Sequence, residues 1–172
     1  VGKVRAYARH QEAEADRCEV NLTAVTQKAV TALTALNRWT TPVDVAPGGD
    51  ILLWGDPLEI EVAVVNLIKN ALEAAEGVLG GRVTVSLTEV ETQGGTEALL
   101  AVTNPAPNLT DEAFDRLNRF TESSKADGLG LGLSIVRGIA DSHAGRLIFV
   151  RTASRIVRAE FRLPVKRPSV GS

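Results

Sequence analysis

The sequence predicts an α+β domain, a two-layer sandwich with helices on one face of a mixed, mostly antiparallel sheet. Its 172 residues are enough for one domain, and 44% hydrophobic with 23% charged residues is typical of a folded globular protein. Segments with apolar residues at helical spacing are interleaved with segments in which apolar and polar residues alternate. Two pairs of the alternating segments are joined by short turns, which indicates antiparallel hairpins.

The first quarter of the chain predicts two helices separated by an edge strand. Residues 1–17 have a charged helical pattern, which we interpret as the end of a longer helix. Residues 19–22 form a short strand pattern. Either Asn21 or Thr23 is then suited to cap a helix that reaches about Leu36.

The next segment predicts two short strands and a long helix. Residues 43–45 and 51–54 have strand patterns, the second of them ended by Gly55. Asp56 followed by Pro57 is the preferred order at a helix start, and the helix is expected to end at Gly77. Its predicted core stripe consists of Val62, Val65, Ile68, Leu72 and Ala75.

The second half of the chain predicts two hairpins around one helix. Residues 82–90 and 97–103 alternate as strands do, and 147–151 with 156–163 form a similar final pair. Between these hairpins, a short helix at 111–120 lies in a long irregular stretch that reaches Gly128, which is typical of a lid or binding loop. A helix then begins at Gly132 or Ser134 and runs to His143, Gly145 ends it, and residues 167–172 are expected to be a disordered tail.

Composition excludes several classes of function. With 19 basic and 21 acidic residues, the chain has no net field that favours nucleic acid or an anionic membrane. The single cysteine, Cys18, excludes an internal disulfide framework and indicates a reducing compartment. No apolar run approaches the roughly 20 residues needed to span a bilayer, so no membrane contact by this segment is expected.

A glycine-rich run at Gly128-Leu129-Gly130-Leu131-Gly132-Leu133 leads directly into the predicted helix at 134–143. Glycine lets backbone N–H groups approach an anion closely, and the first turn of a helix adds unpaired donors. The run is therefore a candidate phosphate cradle, although a glycine-rich turn that only starts a helix is an alternative. It is not a dinucleotide-binding loop, because Leu133 stands where the last glycine of GxGxxG is needed.

Asn66, Asn70 and Glu73 share one face of the long helix, at positions i, i+4 and i+7. Asparagine is a mediocre helix former, so two of them in mid-helix suggest a compensating function. Amide oxygens suit Mg²⁺, which is often held by few protein ligands together with water and nucleotide oxygens. The alternative is a pair of solvated or locally capped asparagines.

Three runs in this order resemble the motifs of the histidine-kinase ATPase domain. The run 66–74 (NLIKNALEA) resembles its N box, 114–120 (FDRLNRF) its F box, and 128–136 (GLGLGLSIV) its G2 box. Residues 140–147 (ADSHAGRL) are similar to the family's helix end and return strand. The resemblance runs from about Leu22 to Val165, and the combination of boxes is highly specific.

The resemblance implies the Bergerat-type fold shared with gyrase-type and chaperone ATPases, with ATP and Mg²⁺ as ligands. It implies that Asn70 is the magnesium ligand and that Asn66 is its catalytic partner near the phosphates. Glu73 stands where the family more often has a basic or polar residue; as a carboxylate it is a second candidate catalytic group, suited to activate a water or a histidine nucleophile, or else a solvated helix charge. Lys125 falls where nitrogen- and dicarboxylate-sensor kinases have a basic lid residue. The nucleotide-binding residues implied in this way are Asn66, Asn70, Asn104, Ala106, Lys125, Gly128, Leu129, Gly130, Leu131, Gly132 and Leu133.

One box departs from the family pattern. The G1 box usually has an aspartate followed by two spaced glycines, and Asn104, Ala106 and Asn108 stand at these positions. Asn104 keeps an acceptor oxygen for the adenine amino group, whereas Ala106 and Asn108 have fewer backbone options than glycine. The alternatives to a kinase domain are therefore an interaction module of the same fold that has lost nucleotide binding, or another ATPase of the superfamily.

The resemblance also implies the partners. The family transfers the γ-phosphoryl group of ATP to a histidine on a dimerisation helix, for relay to a response-regulator receiver domain. His10 lacks the surroundings of that phosphoacceptor, so the histidine is expected elsewhere in a homodimeric parent. We expect residues 1–17 to be the end of the dimerisation helix and 18–166 to be the catalytic domain. We expect this segment to lie in the cytoplasm. The parent protein is a candidate for an anchor in the inner membrane.

Overall fold

A computed structural model describes residues 16–119 and 131–165, with Leu131 described by its backbone only. The expected stem at 1–17 lies outside the described residues apart from its last two positions, and the expected tail lies outside them entirely. Within the described ranges, the elements in chain order are β1 (Cys18–Asn21), α1 (Leu22–Ala35), β2 (Val43–Val45), β3 (Leu52–Gly55), α2 (Pro57–Ala75), β4 (Val83–Thr92), β5 (Gly95–Pro105), α3 (Asp111–Asn118), α4 (Leu131–Ser142), β6 (Arg146–Ala153) and β7 (Ile156–Pro164).

The main sheet has five strands in the spatial order β2-β4-β5-β7-β6. Strand β2 is parallel to β4, and the other neighbouring pairs are antiparallel. The predicted fold class, with a mixed and mostly antiparallel sheet, is confirmed. Strands β1 and β3 form a separate antiparallel pair, with Cys18 opposite Gly55, which the sequence pattern does not indicate.

Helices α1, α2 and α4 form the second layer, with α2 between the other two and against β4 and β5. Buried residues alternate along the strands, as in Val157, Ala159, Phe161 and Leu163 of β7, because one face of the sheet meets these helices. The core therefore lies between the helices and the sheet. Among the described residues, no helix combines the length and the apolar character needed to cross a membrane.

The buried face of α2 is wider than the predicted stripe. Ile68, Leu72 and Ala75 are buried as expected, but Val62 is 43% exposed, so its assignment to the core was wrong. The helix packs on the sheet and also on a helix at each side. For this reason five further residues are buried: Ile60, Ala63, Val64, Leu67 and Ala71. Val62 and Asn66, one turn apart, lie on the part of the helix that stays open.

Side-chain caps begin the helices where the sequence predicts. Asn21 caps α1 by accepting a hydrogen bond from the Ala24 N–H at 3.0 Å, whereas Thr23 donates to the Gly49 carbonyl at 3.1 Å. Asp56 caps α2 by accepting from the N–H groups of Leu58 and Glu59. These bonds satisfy donors that a helix start leaves unpaired.

His143 joins the end of α4 to the start of α2. The imidazole is 4% exposed, its Nδ1 lies 2.8 Å from the Ile139 carbonyl oxygen, and its Nε2 accepts a hydrogen bond from the Asp56 N–H at 3.0 Å. Both ring nitrogens thus contact backbone groups, and Nδ1 also lies 3.0 Å from the Ser142 Oγ. The two helices that carry the asparagine and glycine motifs are held together at this end.

Candidate functional site

Asn66 of α2 faces the first turn of α4. Its Nδ2 donates a hydrogen bond to the Val62 carbonyl at 2.8 Å, one helical turn earlier. A Cβ added at Gly132 would lie only 2.7 Å from the Asn66 Oδ1 and 3.7 Å from the Asn70 Nδ2. The structure therefore brings Gly132 of the glycine-rich run against both asparagines, and only glycine leaves the Asn66 amide its present place.

Asn70 is half-buried one turn further along α2. Within the described residues, its carboxamide has no hydrogen-bond partner. Both polar ends of this amide are therefore available to a ligand. The described part of the chain contains no group of three or more histidine, cysteine or acidic residues that could hold a metal ion. A cation at Asn70 would need most of its oxygen ligands from water and from another molecule.

A cavity of about 160 Å³ opens between α2 and the sheet, next to Asn70. Its walls are mostly apolar, and its polar residues are the two asparagines, Asn70 and Asn104. The lining residues are Leu67, Asn70, Ala71, Ala74, Val102, Asn104, Ala106, Leu109, Leu117, Leu133, Phe149, Val157 and Ala159. An apolar cavity with a few convergent polar groups is the usual form of a small-molecule site.

Asn104 is the buried polar group of the cavity, at 7% exposure. Its Nδ2 donates to the Pro105 carbonyl at 2.9 Å, which identifies the other amide atom as the acceptor. Among the described residues, the Oδ1 has no hydrogen-bond partner. Ala106, two residues further on, donates its N–H to the Arg155 carbonyl at 2.7 Å, which holds this segment against the turn between β6 and β7.

The other predicted site residues are placed as follows. Leu133 lines the cavity. Glu73 is not among the residues that line it, and its half-exposed carboxylate lies 3.8 Å from the Lys69 Nζ in an i, i+4 pair. Leu131 starts α4, and its side chain lies outside the described residues. Lys125, Gly128, Leu129 and Gly130 also lie outside the described residues.

Sequence reasoning missed several residues of the cavity wall. Leu109 and Leu117 lie before and within α3, Phe149 lies on β6, and Val157 with Ala159 lie on β7. The register places Val157 opposite Asn104 and Ala159 opposite Val102. The signal for Leu117 was present, since it belongs to the run 114–120 that resembles the F box. The strand residues had no such signal, because their place depends on which strands become neighbours.

Residues 55–167 match the protein family described as Histidine kinase-, DNA gyrase B-, and HSP90-like ATPase. Sporulation kinase B of Bacillus subtilis (strain 168) is 28% identical over 119 residues, which are 69% of this chain and 27% of that protein. Sensory histidine kinase/phosphatase NtrB of Salmonella typhimurium is 34% identical over 100 residues, which are 55% of this chain and 28% of that protein. The chain thus spans about a quarter of the length of these curated relatives.

Solved structures show the same fold. The catalytic domain of histidine kinase ThkA matches with a TM-score of 0.67 at 24% identity, covering 87% of this chain and 95% of that chain. The ATP binding domain of PrrB from Mycobacterium tuberculosis matches with a TM-score of 0.64 at 21% identity, covering 88% and 99%. The architecture described above is therefore the one these two domains have.

Proposed function

Because the chain belongs to the histidine kinase-, DNA gyrase B- and HSP90-like ATPase family, we propose that it is the ATP-binding catalytic domain of a sensor histidine kinase. The observation that carries the proposal is that Gly132 lies against Asn66 and Asn70, and that Asn70 lines an apolar cavity whose other polar residue is Asn104. In this proposal, the domain transfers the γ-phosphoryl group of ATP to a histidine on a dimerisation helix of a homodimeric parent. The phosphoryl group then passes to a response-regulator receiver domain, and the use of ATP places these steps in the cytoplasm.

We propose that the cavity holds the adenine ring. Its apolar walls remove the flat faces of the base from water, which is favourable in proportion to the buried area. Asn104 Oδ1 is available to accept a hydrogen bond from the adenine amino group, because the other end of the same amide is already used by Pro105. The acceptor thus gains a partner when the base binds, and bases without a donor at this position leave it unpaired.

The phosphates are proposed to lie at the start of α4. Helix starts offer unpaired N–H groups and the positive end of the helix dipole, and Gly132 lets the Asn66 amide lie directly against this turn. Asn66 is positioned by its bond to Val62 so that its Oδ1 faces this turn. Its proposed role is to orient the groups around the reacting phosphate, since phosphoryl transfer depends mainly on positioning and charge neutralisation.

Asn70 fits the role of magnesium ligand. Its unpaired carboxamide supplies the hard, neutral oxygen that Mg²⁺ prefers, and it lies beside the same turn of α4. The bound ion would neutralise phosphate charge and orient the γ-phosphate. A catalytic role for Glu73 stays a prediction. The ion pair of its carboxylate with Lys69 and its absence from the cavity wall favour the alternative of a solvated helix charge. The alternative of an interaction module without nucleotide is not favoured, since the cavity and its free acceptor are present.

The proposal is tested by calorimetric titration with a non-hydrolysable ATP analogue, with and without Mg²⁺. We expect dissociation constants of about 10–100 µM with Mg²⁺, near −6 kcal/mol, and weaker binding without it. No heat at millimolar ligand would contradict nucleotide binding. In the parent protein, label from the γ-phosphate of ATP is expected on histidine, where it is lost in acid and kept in base. Acid-stable label would contradict histidine-kinase activity.

The Gly132→Ala variant is expected to bind the analogue about 10-fold more weakly without losing stability. The new methyl group would meet Asn66 Oδ1 at 2.7 Å and push this amide away from its bond to Val62. Alanine is the better helix former by up to about 1 kcal/mol, so the melting temperature is expected to hold or rise.

Gly138→Ala in the same helix is the matched control for Gly132→Ala. A Cβ at Gly138 has no atom within 4 Å, so this variant is expected to gain helix stability, at least as much as Gly132→Ala, and to bind normally. Calorimetry and thermal melting of the two variants separate the effects. Equal affinities for both would contradict the place proposed for the phosphates.

Asn104→Asp is expected to bind the analogue about fivefold more tightly, because a charged acceptor makes the stronger hydrogen bond with an amino group. The same change removes the donor to the Pro105 carbonyl, so a lower melting temperature is expected. Asn104→Leu, which has no acceptor, should bind more weakly than the unmodified chain. Titration of all three proteins with the ATP analogue and with an inosine analogue checks the prediction. Inosine has a carbonyl oxygen in place of the adenine amino group. If Asn104 recognises the amino group, the three proteins will therefore not bind the inosine analogue in the order expected for the ATP analogue, and the same order for both analogues would contradict the prediction.

A further inference from the structure

Helix α3 has little apolar attachment to the rest of the domain. It has eight residues, of which only Leu117 is buried, while Phe114 is partly buried against the core. A helix this short has little stability of its own in water. Its position therefore depends on the contacts that tie it to its neighbours, and these lie at its two ends.

The last residue of α3, Asn118, is paired with the edge strand β6. Its Nδ2 donates to the Phe149 carbonyl oxygen at 2.9 Å, and the Phe149 N–H donates to its Oδ1 at 2.9 Å. Strand β6 is the outer strand of the five, so these backbone groups have no neighbouring strand to pair with. The carboxamide has the same donor and acceptor as a peptide group and takes the place that a sixth strand would have.

The start of α3 is held to the same strand by weaker, exposed contacts. Arg151 Nη1 lies 2.5 Å from Asp111 Oδ1, and the Arg151 guanidinium lies 4.8 Å from the Phe114 ring centroid. Asp111 is largely exposed, and exposed ion pairs contribute little. The paired hydrogen bonds of Asn118 are thus the more directional of the two attachments.

Arg137 of α4 completes the junction at the end of α3. Its Nη2 donates to the Leu117 carbonyl oxygen and its Nη1 to the Leu147 carbonyl oxygen at 3.5 Å. Burial lowers the pKa of the Arg137 guanidinium, and nearby Asp141 raises it. The guanidinium and the Asn118 carboxamide together connect α3, α4 and β6.

We propose that Asn118 is a positioning residue of the nucleotide site, which holds the two outer walls of the adenine cavity at a fixed separation. Leu117, its neighbour in α3, and Phe149, whose backbone it binds, both line that cavity. Without the two hydrogen bonds, this end of α3 keeps the Arg137 bond to the Leu117 carbonyl but loses its direct link to Phe149, so Leu117 can move away from Phe149 and the cavity widens on this side. Asn118 itself does not line the cavity, so it acts through these two residues. The inference rests on the proposed function.

The test compares Asn118→Leu, which has a similar size and lacks both hydrogen bonds, with Thr110→Ala at the other end of α3. Thr110 caps the helix by accepting a hydrogen bond from the Ala113 N–H at 3.2 Å, so its loss loosens the same helix but leaves the Asn118 pair. We expect Asn118→Leu to bind the magnesium–ATP analogue about 10-fold more weakly and Thr110→Ala less than about twofold. Both are measured at a temperature at which each variant is folded.

Two further readouts separate positioning from general stability. Hydrogen exchange at the Phe149 amide is expected to accelerate in Asn118→Leu and to stay slow in Thr110→Ala, because only the first loses the acceptor of that N–H. In the parent kinase, Asn118→Leu is expected to raise the KM for ATP about 10-fold with kcat unchanged, since the cavity wall affects binding while Asn66 and Asn70 remain in place. If Asn118→Leu does not fold, Asn118→Asp, which keeps the acceptor alone, is expected to show a loss of about threefold.

Normal nucleotide affinity in Asn118→Leu, with fast exchange at Phe149, would overturn the inference and leave the proposed function standing. Equal losses of affinity in the two variants would also overturn it, because the effect would then come from the stability of α3 alone. Failure of the unmodified chain to bind the analogue would overturn the proposed function and this inference together.

Discussion

Asn70→Ala is expected to remove magnesium-dependent nucleotide binding, with a loss of affinity of about 100-fold, or about 2.7 kcal/mol. In the proposed site, Asn70 supplies the protein's oxygen ligand for Mg²⁺, and the described residues hold no acidic or histidine cluster to replace it. The fold should lose nothing, because this carboxamide has no hydrogen-bond partner within the described residues. Alanine is also the better helix former in the middle of α2.

The measurement is calorimetry with the ATP analogue at several Mg²⁺ concentrations, together with thermal melting. Without Mg²⁺, the variant and the unmodified chain are expected to bind with similar affinity. Leu58→Ala, in the first turn of the same helix and 73% exposed, is the control and should bind normally. An Asn70→Ala variant that binds with unchanged affinity in the presence of Mg²⁺ would refute the assigned role.

Gly145→Ala is expected to be the most destabilising single substitution considered, at about 3 kcal/mol or more. A Cβ at Gly145 would lie 2.1 Å from the Arg162 carbonyl oxygen and 2.7 Å from the Leu163 Cδ2. Strand β7 lies between β5 and β6, so its backbone cannot move away without disturbing both pairings. For a chain of this size, the melting temperature should fall by roughly 6–12 °C.

Urea unfolding and thermal melting measure this effect directly. Gly49→Ala serves as the control, because a Cβ at Gly49 has no atom within 4 Å, and its change is expected to stay within about 0.5 kcal/mol. A Gly145→Ala protein as stable as the control would contradict the packing of α4's end against β7.

Local chemistry made much of the fold predictable. The cap at Asp56 with Pro57, the strand at 43–45 and the hairpin turn near Gly94 depend on residues next to one another in the chain, and the structure has each of them. The end of α4 shows where this reasoning stops. Gly145 does follow the helix, but the left-handed residue is Ala144, with φ of 54°, and Gly145 is needed for its lack of a side chain against Arg162.

The candidate site divides in the same way. The asparagines, the glycine-rich run and Asn104 were found from residue chemistry and from a resemblance carried by neighbouring residues. The walls from Phe149, Val157 and Ala159 were not, because they belong to strands whose order and register are set by long-range pairing. The pairing of Asn118 with the backbone of Phe149 could not be predicted either. An amide in a short helix gives no indication of which strand edge it will contact in the fold.

The sequence by itself determined the fold class and most helix starts, because these depend on spacing along one helix or turn, and it proposed candidate residues for a nucleotide and its metal from that spacing and from the family resemblance. Only the tertiary structure decided that Val62 stays open, that Gly132 meets Asn66, and that β1 and β3 form a sheet of their own. The physical reason is that burial and contact depend on which elements pack together. Which elements pack together depends on the free energy of the whole core, and this cannot be read from any short stretch of the sequence.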